Sequence, residues 1–223
     1  MRRLEHGVEF LDRPIAAADR DASLADVDRL NAWFGGYRLT LRALDRLLHG
    51  TDPARRLVVV DIGGGRGDFA RRIVGWGRRR GRAVRVIVVD RVVGRPRPGV
   101  LCVVGDATAL PLREGSVDAA TASLTLHHLE PDAAVRALAE MAAVARVGIV
   151  VNDLLRTRLS LALVWLATRV LCRHRFPRHD GPLSVRRAYA GDELRALAEK
   201  AGIPALVVRG YPLLARLVAV ARS

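Results

Sequence analysis

LVVVDIGGGRGD, residues 57–68, is the stretch that decides the fold. Leu57, Val58, Val59, Val60 and Ile62 surround a single acid, Asp61, and Gly63, Gly65 and Gly67 follow at alternate positions. A short β-branched run closed by glycine reads as a strand buried on both faces, as in a parallel sheet. Glycine lets the chain turn sharply and lets backbone N–H groups approach a ligand that a Cβ would exclude. Asp61 sits at the end of that strand, where open α/β sheets bind their ligands. The pattern predicts a nucleotide-like cofactor.

Two glycine-rich loops compete for that role. A dinucleotide fingerprint beginning at Gly63 needs glycine at position 68, which is Asp68. A pyrophosphate there would also face Asp61 and Asp68, against the preference of a helix N-terminus for the anion alone. A phosphate-binding P-loop fails as well, because no Gly-Lys-Ser/Thr follows. D-x-G-x-G-x-G instead suits a cofactor with a cationic, amino-acid-like end, and the sulfonium and ammonium of S-adenosylmethionine fit that description.

Outward from the loop the acids recur. Val84 to Val89 forms a second apolar run ending in Asp90, where one carboxylate can hold the two hydroxyls of a ribose. Val100 to Val104 leads into Gly105-Asp106-Ala107, where Asp106 can accept from an adenine amino group and Ala107 leaves the ring a clear path. Arg91 and Leu124 complete the expected cofactor contacts. A fourth run, Val117 to Leu126, carries Asp118 at its start and ends at His127-His128. Any single acid could be a turn or cap residue. Three in series behind three strands point to binding.

With these motifs in place the chain resembles a class I S-adenosylmethionine-dependent methyltransferase. Within that superfamily it is similar to the small-molecule group of ubiquinone and menaquinone biosynthesis. The resemblance rests on VVVDIGGGRGDF (58–69), VVD (88–90), GDATALPL (105–112), SVDAATASLTLHHL (116–129) and VGIVVNDL (147–154). It covers roughly 55–155 closely and the remainder by architecture. It implies Asp61, Gly63 and Gly65 at the methionine end, Asp90 at the ribose, and Asp106 with Ala107 at the adenine. Gly64 and Arg66 depart from the family's small or polar residues, and Arg66 is expected to point to solvent, away from a cationic cofactor.

Composition fits one enzyme domain spanning 1–223. A chain of 223 residues buries roughly 70–75% of its unfolded surface without staples. Cys102 and Cys172 lie in apolar segments without metal-ligand spacing, so they read as buried thiols and no metal site is expected. MRRLEHGVEFLDRP lacks an apolar leader core, and a cytoplasmic location is expected. The net charge of +14 would ordinarily point to nucleic acid. Of 37 basic residues, however, only Lys200 is lysine, a bias that GC-rich coding produces as readily as phosphate contacts. No arginine stripe is interleaved with aromatics. Arg78-Arg79-Arg80 reads as a helix C-terminus, where cations suit the dipole. A second arginine cluster lies within 169–187. The expected partner is a small-molecule acceptor, without membrane or nucleic acid, and a homodimer is left open.

Alternating patterns give strands at 57–62, 84–90, 100–104, 117–126 and 147–152, with helices at 66–78, 131–145 and 191–201. They predict a Rossmann-like, doubly wound α/β fold. The apolar runs 205–208 and 213–221, joined across Gly210-Tyr211-Pro212, predict a closing hairpin with an antiparallel last strand; the resemblance implies the same seven-stranded sheet with helices on both faces. Residues 1–52 are read as an N-terminal helical cap, including a helix from Tyr37 to Leu48. Residues 154–190 are an insertion. Its apolar stretch Leu159 to Cys172 is too short, and Arg169 too central, for a membrane span. It reads either as a helix packed on the sheet or as a lid over the substrate, with Trp165 as an apolar wall. Arg173 to Asp180 is expected to be a basic loop, closed by Gly181-Pro182.

Methyl transfer from a sulfonium is an in-line displacement, so alignment and exclusion of water dominate. A phenol or activated aromatic carbon gains from a general base, and His127 and His128 stand at the end of the fourth strand. On a strand they point to opposite faces, so at most one reaches the pocket. The resemblance places a histidine just before Leu129, which is His128, and leaves His127 open as the base; either ring could instead merely end the strand. Asn152 and Asp153 end the fifth strand at the expected pocket rim, with Asp153 alternatively capping the next helix. Tyr37, in a segment the family folds across the cofactor, is a candidate contact or ordinary packing. The expected activity is methyl transfer to oxygen (or carbon) of a small aromatic, quinone-like or polyketide-derived acceptor. An RNA methyltransferase and a cofactor-binding relative without turnover are the alternatives. Leu126-His127-His128-Leu129 lacks the tetrad of base N-methylation, and Cys102 is misplaced for cytosine C5 chemistry.

Overall fold

A computed structural model describes every residue except His6, Val93, Arg95, Pro96 and Arg97. A 3-10 turn at Phe10–Asp12 precedes two helices, α1 (Ala17–Trp33) and α2 (Gly36–Leu47). Then come β1 (Leu57–Ile62), α3 (Asp68–Arg79), β2 (Val84–Asp90), β3 (Val100–Val104) and β4 (Val117–Ser123). The second half runs α4 (Pro131–Val144), β5 (Ala145–Leu154), α5 (Arg158–Leu171), α6 (Arg175–Arg187), α7 (Gly191–Lys200), β6 (Val207–Tyr211) and β7 (Arg216–Arg222).

The seven strands order as β3-β2-β1-β4-β5-β7-β6. β1 pairs in parallel with β2 and β4, whereas β7 runs antiparallel to both β5 and β6. This is the Rossmann-like sheet expected from the alternation, with the reversed hairpin at its end. The chain winds outward from β1 through β2 to β3, then restarts at β4 on the other side of β1. A crevice therefore opens beyond the carboxyl ends of β1 and β4, the switch point where such sheets bind ligands.

Alternate strand residues feed two cores. Val60 and Ile62 pack with Leu138 and Met141 of α4 and Leu194 of α7. Leu57 and Val59 pack on the opposite face with Leu44 of α2 and Ile73 and Trp76 of α3. Asp118, fully buried at the start of β4, accepts from the Val58 backbone N–H at 2.8 Å and pairs with Arg55 and Arg146. Among the described residues no helix is long and apolar enough to cross a membrane.

Three expectations give way. β4 stops at Ser123 instead of running to 126, because Leu124 turns the backbone to φ 55° and Leu126–His128 form a 3-10 turn. The stretch from Arg173 through Pro182 is not a loop: it belongs largely to α6, which contains Pro182. Gly181 has no Cβ to crowd the following proline ring. A Cβ there would also lie 2.8 Å from Thr168 of α5, so Gly181 is where the two helices meet. Cys172 is buried, but Cys102 is only half-buried, since β3 lies at the sheet edge.

Candidate functional site

The turn after β1 is built from glycine for steric reasons. Gly63 has φ +69°, and a Cβ on it would lie 2.5 Å from Thr125 Oγ1 of the segment leaving β4. Gly67, at φ +74°, is the N-cap residue immediately before α3. The Gly65 N–H donates to Asp90 Oδ2 at 2.8 Å, and Val92 N–H donates to Oδ1 at 3.0 Å, so the tip of β2 holds the tip of the glycine turn. Asp61, Gly63, Gly65, Asp90, Arg91, Asp106, Ala107 and Leu124 border one cavity of about 820 Å³. Gly67 does not border it. Its Cα faces Val88, Val100 and Ala70, and its part is to turn the chain into the helix.

The acids differ in electrostatic state. Asp61 is 1% exposed. Its Oδ1 accepts from Thr121 Oγ1 at 3.1 Å, and its buried Oδ2 has no hydrogen-bond partner among the described residues. Burial pushes its carboxyl up to about 7, against the Thr121 bond and with a small addition from Asp90. Asp106 goes the other way, to about 2, because Thr108 donates to it from both N–H and hydroxyl and Arg91 pairs with it at 2.9 Å. Arg66 does not turn to solvent as expected. It folds onto Asp68 at 2.8 Å and donates to the Asp21 carbonyl of α1, so its charge is neutralised beside the cavity.

At the other end stand both histidines. The 3-10 turn sets their rings side by side, with centroids 4.2 Å apart, so the opposite-face expectation for a strand fails and both border the cavity. His127 is buried, with Nδ1 2.6 Å from Asp153 Oδ1, and its own N–H donates to Asp153 Oδ2 at 3.1 Å. Burial would raise the Asp153 carboxyl, but the His127 charge and these hydrogen bonds hold it below the usual carboxylate range. Asp153 does not cap α5; Thr157 does, accepting from Ser160 N–H at 3.0 Å. His128 places Nδ1 2.9 Å from Asp12 Oδ1.

Between the two rings lies Glu9, a residue that sequence reasoning passed over. Its carboxylate oxygens stand 3.8 Å from His127 Nε2 and 3.9 Å from His128 Nε2. Burial raises Glu9 to about 7, although His128 opposes the rise. Asp12, by contrast, is drawn down to about 2: burial opposes this, but His128 and Arg187 outweigh it. Ligand atoms of Glu9, His127 and His128 lie within 4.8 Å of one another, close enough to consider a cation. Arg187 Nη1, 3.9 Å from Glu9 Oε1, puts a fixed positive charge on the same oxygen and opposes one. No local signal marked Glu9, because the fold alone brings it to residues more than a hundred positions away.

The three expected substrate contacts fare unevenly. Tyr37 borders the cavity, but its ring stacks on Phe69 at 5.2 Å and its hydroxyl donates to Asp28 at 2.6 Å. Burial and that carboxylate push its phenol well up, so it offers no proton acceptor. Asn152 does not border the cavity. It points to the opposite side of β5 from Asp153 and donates to the Gly36 carbonyl at 2.8 Å and Thr40 at 2.7 Å, tying α2 to the sheet. Trp165 also misses it: α5 turns Val164, Ala167 and Thr168 inward and Trp165 outward, under the Arg169 guanidinium at 4.0 Å.

Residues 60–151 match the family model described as a methyltransferase domain. Solved structures share the fold. Human N-acetylserotonin methyltransferase in complex with its cofactor is 17% identical, with a TM-score of 0.61, over 92% of this chain and 56% of that one. A methyltransferase assigned to an antibiotic biosynthesis pathway of Anabaena variabilis is 21% identical, with a TM-score of 0.53, over 77% of this chain and 63% of that one. An S-adenosylmethionine-dependent methyltransferase from Aquifex aeolicus is 17% identical, with a TM-score of 0.52, over 87% and 96%. The chain thus spans about 56–63% of the length of the human and Anabaena proteins. A comparison with curated proteins returns no match. The sheet has the fold of these methyltransferases, and residues 60–151 carry the match to the methyltransferase domain. S-adenosylmethionine is the cofactor that match implies, and the buried Asp61 Oδ2, without a hydrogen-bond partner among the described residues, is the complement an ammonium group requires.

Proposed function

We propose that this protein transfers a methyl group from S-adenosylmethionine to an oxygen (or carbon) of a small aromatic, quinone-like or polyketide-derived acceptor. The observation that carries this reading is the continuity of one cavity from the glycine cradle to the histidine pair. Its acceptor end is walled by Val164 and Ala167 of α5 and by Ser184 of α6. A cavity closed by the protein's own helices suits a compact, largely apolar molecule.

When bound, the cofactor supplies a methyl group activated by a sulfonium. In this reading Asp61 and Asp90 hold its ammonium and ribose, and Asp106 with Ala107 the adenine edge. Asp153 fixes the His127 ring through Nδ1, which leaves Nε2 to take the proton of an acceptor hydroxyl as the oxygen–carbon bond forms and the carbon–sulfur bond breaks. Residues 1–52 would cover the cofactor from the N-terminal side, and 154–190 would act as the lid that excludes water.

An acceptor screen with isotope-labelled cofactor tests the proposal. It should find transfer to phenolic compounds, and His127→Asn should lower kcat by about 10²–10⁴-fold with cofactor affinity unchanged. No transfer to any acceptor by protein that binds the cofactor would refute it. Full activity in both His127→Asn and His128→Asn would remove the base.

A further inference from the structure

Helix α5 is apolar on both of its sides. Val164 and Ala167 look into the cavity, while Leu159, Trp165, Leu166 and Val170 stand on the outer surface. At 100° per residue these four fall within roughly 140° of one another, a stripe whose arc also holds the exposed Arg158 and Arg169. Leu166 is 55% exposed and Val170 70% exposed, and Leu213, on a turn that packs against α5, is 79% exposed. Large side chains exposed together mark an interaction surface.

On α5 and α6 themselves the exposed side-chain charge is of one sign. Between residues 155 and 190 the chain holds eight arginines and one acid. The acid, Asp180, is buried, where it accepts from the Phe10 N–H at 3.0 Å. Arg156 and Arg187 are buried as well, which leaves Arg158, Arg169, Arg173, Arg175, Arg178 and Arg186 exposed. A second copy docked here would set arginines against arginines. Nucleic acid would engage the arginines and leave the apolar stripe in water.

We propose that the outer face of α5 docks on the surface of an anionic lipid bilayer, with its apolar stripe at the acyl boundary and the arginines among the headgroups. An apolar helix face interleaved with arginine, with a tryptophan stacked under one of them, has the chemistry of an interfacial helix whose arginines reach up to the headgroups. It lies on the membrane and does not span it. Docking puts the cavity wall against the bilayer, so an acceptor dissolved in lipid is the class the site takes. That last step rests on the methyl transfer proposed above, whereas docking needs neither cofactor nor acceptor.

Co-sedimentation of the full chain with vesicles tests it. The chain should pellet with phosphatidylcholine–phosphatidylglycerol vesicles, far less with phosphatidylcholine alone, and less as NaCl is raised. Leu166→Glu with Val170→Glu should weaken the binding about tenfold or more. Both side chains are exposed and away from the cradle, so unchanged S-adenosylhomocysteine affinity shows that the variant is folded. Failure to bind anionic vesicles overturns the proposal. So does equal binding by the double variant, which would mean charge alone, and so does a dimer that the variant dissolves without any vesicle binding.

Discussion

Replacing Asp61 by Asn separates two effects that the buried carboxylate combines. Its folded pKa of about 7 lies above the ordinary 3.8, because burial disfavours the anion. That rise corresponds to about 4 kcal/mol. For an acid whose pKa is raised on folding, the stabilisation is fully present below pH 3.8 and is lost as pH rises through about 7. Without cofactor at pH 8 the wild type therefore carries a buried charge that the Asp61→Asn variant does not. The variant should melt higher there by at least about 4 °C, with the gap closing toward acid pH. Cofactor binding should move oppositely. If the ammonium pairs with ionised Asp61, binding releases a proton from a group with a pKa of about 7. Affinity for S-adenosylhomocysteine should then rise roughly 20–30-fold between pH 5.5 and 7.5 in the wild type. The variant should bind weakly and with a flat pH profile. Calorimetry across that range, with thermal melts of the same samples, reads both effects. A flat wild-type profile, or a variant that melts lower than wild type at pH 8, would refute the reasoning.

Two further variants probe different parts of the argument. Asp90→Ala removes the acceptor for the Gly65 and Val92 N–H groups and should abolish S-adenosylhomocysteine binding in calorimetry; unchanged binding would sink the cradle assignment. Leu44→Ala, at a fully buried site where α2 meets the sheet, should cost about 2–5 kcal/mol in denaturant unfolding while leaving cofactor affinity of the folded protein intact.

The strand pattern was legible because β-branched runs, glycine turns and terminal acids are local features. β1, β2 and β3 begin and end at the residues their patterns indicated. Where boundaries slipped, a backbone event intervened: Leu124 at positive φ ended β4 early and converted two expected strand histidines into neighbours on one turn. Position at the end of β5 predicts both Asn152 and Asp153 at the rim, yet adjacent strand positions face opposite ways, and only Asp153 reaches a histidine. Trp165 shows the same limit on a helix. Its apolar neighbours predict a helix, but which side meets the cavity is set by the packing of α5 on α6.

By itself the sequence determined the sheet, the acidic glycine turn and the three acids at strand ends, since each follows from short-range sterics and from the alternation of side chains along a strand. Tertiary structure alone decided what stands opposite them. Glu9, Asp12, His127, Asp153 and Arg187 meet only after the N-terminal segment folds across the strand ends and α6 closes beside it. Burial then raises Glu9 to about 7 while His128 and Arg187 draw Asp12 down to about 2, although the two acids are three residues apart. A carboxyl's state depends on its solvation and its neighbours' charges, and both are properties of the folded chain.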